Sequence, residues 1–259
     1  MNAILYAALG TGFTFLMTAL GAAAVFCVPR RSKKGSGRRV CLGFAAGVMV
    51  AATVWSLLIP ALEHAQGGML PVVAGIALGT LALLVPERVM EHMRLMPLRS
   101  RVLGAANKGT RLLFDAVTLH NIPEGIAVGL SFALAVRSGQ PGMLPAACSL
   151  ALGVGLQNLP EGAALSLPLR EEGLSKWKAF MLGTASAVVE PVFGVLSVLA
   201  VTLMQPLLPY LLAFAAGAML LVSVRELIPQ ACCGDERYAG TLSVLLGFVL
   251  MMLLDVALG

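Results

Sequence analysis

Two short polar passages stand inside long apolar runs, and they hold the side chains best able to do chemistry. One is Leu119-His120-Asn121-Ile122-Pro123-Glu124-Gly125 and the other is Leu156-Gln157-Asn158-Leu159-Pro160-Glu161-Gly162. In each, a side chain able to face a metal (His120, Gln157) precedes a carboxylate (Glu124, Glu161) by four residues, a spacing that puts both on one face of a helix. Each also carries a proline, which removes one helical hydrogen bond and leaves the carbonyl of Leu119 or of Leu156 without its donor. A third carboxylate, Glu190, lies in Ala187-Val188-Val189-Glu190-Pro191, again beside a proline. Imidazole nitrogen, carboxylate oxygens and the amide carbonyls of Asn121, Gln157 and Asn158 form a donor set of intermediate softness. It suits Zn, and also Fe, Mn, Co or Cd, better than alkali ions. With Glu124 and Glu161 on facing helices, either carboxylate is able to bridge two ions, as in the di-metal sites of bundle cores.

The elements that must hold these groups are membrane helices. The 259 residues are 58% hydrophobic and 12% charged, against roughly 25% charged in soluble domains. Apolar runs of about the ~20 residues that a bilayer requires cover 3–28, 41–62, 69–86, 112–135, 143–167, 179–203, 207–224 and 240–258. They lack the strict alternation of barrel strands, so the expected fold is an all-α integral membrane protein of eight transmembrane helices, forming a single transmembrane domain over residues 1–259. Residues before Pro29 include no Lys or Arg, so the first run reads as a span rather than a signal peptide. Glu124, Glu161 and Glu190 then fall near the middle of three spans, where each costs ~2.5–3.5 kcal/mol on insertion scales. No Lys or Arg lies at that level, which leaves a bound cation, protonation or water to compensate them.

The net charge of +5 is a topology signal and not a nucleic-acid footprint. Seventeen of the eighteen basic residues follow spans one, three, five and seven, and Arg137 alone lies on the other side. By the positive-inside rule both termini lie outside the cytoplasm. The five cysteines form no C-x-x-C pair, so zinc ligation or disulfides are not indicated.

Spans two and seven align at a constant offset: Phe44-Ala45-Ala46-Gly47-Val48-Met49 with Phe214-Ala215-Ala216-Gly217-Ala218-Met219, running on to Pro60 and Pro229. They cross the membrane in opposite senses, as do spans four and five. An inverted repeat with proline-broken helices at its centre points to a secondary transporter with a midplane site. Span one, with Gly10, Gly12 and Gly21 among small residues, suits close helix contact and carries no chemistry of its own. Glu63 and His64 face outside, and Asp255 shares that face; Glu87, Glu91 and His92 sit at the cytoplasmic mouth. Met49 could add a thioether from span two, although methionine in an apolar helix commonly only fills space.

Enzyme chemistry finds little support. The three histidines, His64, His92 and His120, make no H-E-x-x-H pair, and neither a G-x-S-x-G elbow nor a phosphate-binding loop is present. An intramembrane metalloenzyme, or a metal sensor or receptor, stays as the alternative to transport; a sensor lacks a soluble domain through which to report.

The two hexapeptides, Glu190 and the segment Gly43 to Pro60 together resemble the ZIP (Zrt/Irt-like protein) family of divalent metal transporters, over the whole chain and closest to its bacterial GufA-like branch. The resemblance implies eight helices in a 3+2+3 arrangement, both termini outside, a homodimer in the bacterial inner membrane, and import of Zn2+ (or Cd2+, Fe2+, Mn2+, Co2+) as substrate without a cofactor. It implies a first metal site of Met49, His120, Glu124, Gln157 and Glu161, and a second of Asn121, Glu124, Asn158, Glu161 and Glu190. It also puts Ser56, Glu63 and Asp255 on an outer route and Glu87, His92 and Glu226 on an inner one. Two departures stand out. Many relatives have His-Glu or Gln-Asp where this chain has the neutral pair Gln157-Asn158, which weakens the second site, and Arg225 stands where some have a further ligand.

Overall fold

A computed structural model of the chain describes residues 2–27, 36–65, 68–92, 108–234 and 238–258, apart from the side chains of 36–38, 85–92, 108, 112 and 258. Within them all regular structure is helical. In chain order the elements are α1 (Ala3–Ala22), α2 (Ala24–Cys27), α3 (Ser36–Ala52), a π-helical turn (Thr53–Leu58), α4 (Ile59–His64) and α5 (Met69–His92). Then follow α6 (Lys108–Ser138), α7 (Met143–Glu171), α8 (Lys176–Ala185), α9 (Val189–Leu199), α10 (Val201–Val222), a second π-helical turn (Ser223–Leu227), α11 (Ile228–Cys232) and α12 (Ala239–Leu258). Among the described residues six stretches are long and apolar enough to cross a membrane: Ala3–Cys27, Arg39–His64, Gly109–Ser138, Lys176–Leu199, Val201–Cys232 and Ala239–Ala257. Met69–Leu84 is apolar but shorter. Helix α7 is long enough at 29 residues, but Gln157, Asn158, Glu161 and Arg170 lie within it and its hydropathy is correspondingly lower.

The irregularities have local causes. The amide of Ile59 bonds the carbonyl of Val54 and that of Ile228 bonds Ser223, five residues back in both cases. The next residue is Pro60 in one and Pro229 in the other. A proline ring crowds the carbonyl four residues back and has no N–H to give it, and widening the turn relieves both faults. Between α8 and α9, Pro191 has no amide to offer Ala187. The chain tightens there, with Ala187 N to Thr184 O at 3.2 Å, Val188 N to Ala185 O at 3.3 Å and Glu190 N to Ala187 O at 3.0 Å. That shift robs the carbonyl of Ser186 of its usual donor, and Asn121 Nδ2 supplies one from α6 at 3.2 Å. The junction between α9 and α10 lies at Ala200 (φ −115°, ψ 31°), whereas hydropathy places it across 204–206. Hydropathy registers the polar dip at Gln205-Pro206; the chain turns earlier and takes Pro206 and Pro209 into α10.

Helix pairing is set by glycines, where a missing Cβ lets a neighbouring backbone approach closely. Gly247 of α12 faces the carbonyl of Phe44 in α3, and Gly47 faces that of Val244. The same arrangement recurs between α5 and α10, where Gly79 faces the carbonyl of Phe214 and Gly217 that of Ile76. A second family of contacts joins α1 to α7 (Gly162 on Thr18, Gly21 on Leu159) and α6 to α9 (Gly125 on Glu190, Gly129 on Gly194). These seams divide the helices into two groups. One comprises α1, α2 and α6–α9, the other α3–α5 and α10–α12 with both π turns. The groups meet through side chains: Leu42, Ala46 and Met49 with Leu113, Ala116, Val117 and Leu165, and Leu212, Ala213 and Ala216 with Ile126, Leu130 and Ala133.

Candidate metal centre

The two hexapeptides lie near the middle of α6 and α7, and the chain remains helical through Pro123 and Pro160. Their four-residue spacing therefore holds: His120 and Glu124 share a face, and Glu161 comes across from α7. His120 Nε2 is 3.0 Å from Glu124 Oε1 and 3.9 Å from Glu161 Oε2. One donor atom from each of the three lies within 4.8 Å of the others. Tetrahedral zinc with bonds of about 2.0–2.2 Å separates its ligand atoms by about 3.3–3.6 Å, so small side-chain movements bring all three onto one ion.

All three side chains are nearly sealed from solvent, with exposures of 1–2%. Gln157, also buried, donates through Nε2 to Glu124 Oε1. Around that contact, His120 Nδ1 and Nε2, Glu124 Oε2, Glu161 Oε1 and Gln157 Oε1 have no hydrogen-bond partner. Buried polar atoms without partners cost roughly 1–3 kcal/mol each, and more when charged, so such a concentration of lone pairs requires something electropositive. A divalent cation is able to supply it. Turning over the Gln157 amide would add its carbonyl oxygen to the donors.

Glu190 forms a separate lodging beside the trio. Asn158 Nδ2 donates to its two oxygens at 3.0 and 3.1 Å, and the hydroxyl of Thr14 donates to Oε2. Asn158 Nδ2 also reaches the carbonyl of Thr14 at 3.3 Å. The backbone of Glu190 packs against Gly125, the residue that follows Glu124. Asn121 and Asn158 each keep an unpartnered Oδ1. Two carboxylates thus adjoin the imidazole, and the third is held by Asn158 and Thr14.

The remaining expected positions are scattered. Met49 is buried in an apolar cluster with Ala116, Val117 and Met219, beside the turn of α6 that precedes His120. Ser56 donates to Asp255 Oδ1 at 2.9 Å, which joins the first π turn to the end of α12, and Asp255 Oδ2 is buried without a partner. Glu63 is exposed at the end of α4. Glu226 accepts from Gln230 Nε2 at 3.4 Å and lies 3.9 Å from Arg225 Nε. The side chains of Glu87 and His92 lie outside the described residues. Thr14 was not anticipated. Thr11, Thr14 and Thr18 recur at helical spacing in an otherwise apolar α1 and are fully buried, a polar stripe that glycine-based reading of this span passes over.

Comparison with known proteins places the chain in a family. Residues 98–255 match the family model described as ZIP Zinc transporter. Zinc transporter ZIP11 of Homo sapiens is 36% identical, covering 100% of this chain and 98% of its own. Zinc transporter GufA of Myxococcus xanthus is 39% identical over 93% of this chain and 94% of its own, and zinc transporter ZIPB of Bordetella bronchiseptica 33% over 98% and 82%. With a buried imidazole and carboxylate centre between two proline-bearing helices, and likeness extending from end to end, the chain belongs to the ZIP zinc transporter family.

Proposed function

We propose that this protein carries divalent transition-metal ions, zinc foremost, across the bacterial inner membrane into the cytoplasm. The observation that supports it best is the sealed trio His120, Glu124 and Glu161, whose donor atoms lack partners in the middle of two apolar helices. A binding centre sealed at mid-helix fits alternating access, in which rearrangement of helix groups opens it to one side at a time. His120, Glu124, Gln157 and Glu161, with Met49 from α3, would form the first site. Asn121, Asn158 and Glu190, sharing Glu124 and Glu161, would form the second. Ser56, Glu63 and Asp255 would line the outer route, and Glu87, His92 and Glu226 the inner one. Cd2+, Fe2+, Mn2+ and Co2+ are the competing substrates that the same donors admit.

The reading includes eight crossings in a 3+2+3 arrangement, with an inverted repeat, both termini outside and a homodimer. Helix directions support the crossing number. The glycine contacts advance together along α1 and α7, along α6 and α9, along α3 and α12, and along α5 and α10, so each pair runs parallel. Strict alternation of eight spans requires these four pairs to be parallel. The correspondence of the α3–α12 seam with the α10–α5 seam supports the repeat. Zinc uptake into proteoliposomes tests the reading: wild type fills the vesicles, and His120→Ala and Glu161→Ala do not. A well-folded wild type that binds zinc without moving it would favour a sensor or an enzyme instead.

A further inference from the structure

Helix α1 supplies none of the donors assigned above, yet one of its side chains is built into their arrangement. Thr14 is fully buried. Its hydroxyl lies 3.0 Å from the carbonyl of Thr11 and within hydrogen-bond reach of Glu190 Oε2, to which it donates. Its carbonyl meanwhile accepts from Asn158. One residue thereby holds a carboxylate on α9 and an amide on α7. The adjoining threonines differ: Thr11 bonds Ala7 O at 2.7 Å and Thr18 bonds Thr14 O at 3.4 Å, both within their own helix. The close approach depends on Gly162, whose missing Cβ would meet the carbonyl of Thr18.

Building on the transport reading, we infer that Thr14 is a positioning residue that pins Glu190 against Asn158 and keeps this third carboxylate from closing on a cation held by His120, Glu124 and Glu161. Release requires a limited number of charged ligands. Freed from the hydroxyl, Glu190 keeps only Asn158 and can swing toward the ion, which is then held more tightly and released more slowly. Thr14→Val preserves shape and removes the hydroxyl. In zinc uptake by proteoliposomes it is expected to lower both the maximal rate and KM by roughly tenfold, the scale of a hydrogen bond to a charged group. Thr14→Ser, which retains the hydroxyl, is expected to stay within about twofold of wild type by the same reasoning. Thr11→Val, on the same helix, should leave both parameters unchanged. In a Glu190→Gln background, Thr14→Val should add no further effect.

An unchanged Thr14→Val would overturn the inference, as would a rise in KM, a serine variant as impaired as the valine variant, or full additivity with Glu190→Gln. Where Thr14→Val is not recovered as a monodisperse protein, Thr14→Ala removes the same hydroxyl and is read the same way. A wild type that moves no divalent metal defeats the transport reading together with the inference. A normal wild type beside an unaffected Thr14→Val defeats the inference alone.

Discussion

Protons and metal compete for the same lone pairs on His120, Glu124 and Glu161. Each must be deprotonated to ligate, so lowering the pH raises the protonated fraction and weakens apparent zinc affinity, and binding at a fixed pH releases protons. Calorimetry in buffers of different ionisation enthalpy reads both effects; affinity independent of pH would contradict the site. The members of the site are not equivalent. Glu124 touches both His120 and Gln157, whereas Asn158 is neutral and chiefly holds Glu190. Glu124→Ala should leave no measurable uptake, and Asn158→Ala should reduce it by roughly ten- to hundredfold, as loss of supporting contacts does elsewhere; equal losses would reverse this ranking. The trio was legible from sequence because four-residue spacing and two mid-span prolines are local signals. Thr14 was not, because its partner is 176 residues away and only the folded chain brings them together.

Helices here are joined at glycines, and the seams are selective about which ones. A Cβ at Gly162 would strike the carbonyl of Thr18, while one at Gly12 would meet nothing within 4 Å. Gly162→Ala should therefore part α7 from α1, detach Asn158 from Thr14 and lower both melting temperature and uptake. Gly12→Ala should be neutral or raise stability by up to about 1 kcal/mol, since alanine is the better helix former. Thermal melts of the two variants in one detergent check the contrast. At this scale prolines guided only in part: Pro60, Pro229 and Pro191 each mark a departure from α-helical bonding, whereas the helices expected to break at Pro123 and Pro160 run on through them, as α10 does through Pro206 and Pro209. The break at Ala200 was hidden, because alanine carries no turn signal and the surrounding run is uniformly apolar.

Across the whole molecule, orientation is open to direct measurement. Gln140 and Cys233 are both exposed, one between α6 and α7 and the other after α11. With both termini outside, these two positions face opposite sides of the membrane. In a variant stripped of its other cysteines, a membrane-impermeant maleimide should label Gln140→Cys in intact cells and reach Cys233 only after permeabilisation; the reverse pattern would invert the topology. Charge distribution is the signal that predicts this orientation, whereas the division into two packed groups has none, since no composition signal separates one apolar face from another. The interhelical hydrogen bonds named above each fall within one group, and so do the glycine seams. Between the groups the core contacts named above are apolar, made by Leu42, Ala46 and Met49 and by Leu212, Ala213 and Ala216. That boundary is the plane along which alternating access would move one group against the other. His120, Glu124, Gln157, Glu161 and Glu190 all lie on one side of it and Met49 on the other. Were Met49 to join the proposed site, its thioether would be offered across that boundary, and its grip on the ion would change with any displacement of one group against the other, like a detent in a sliding bolt.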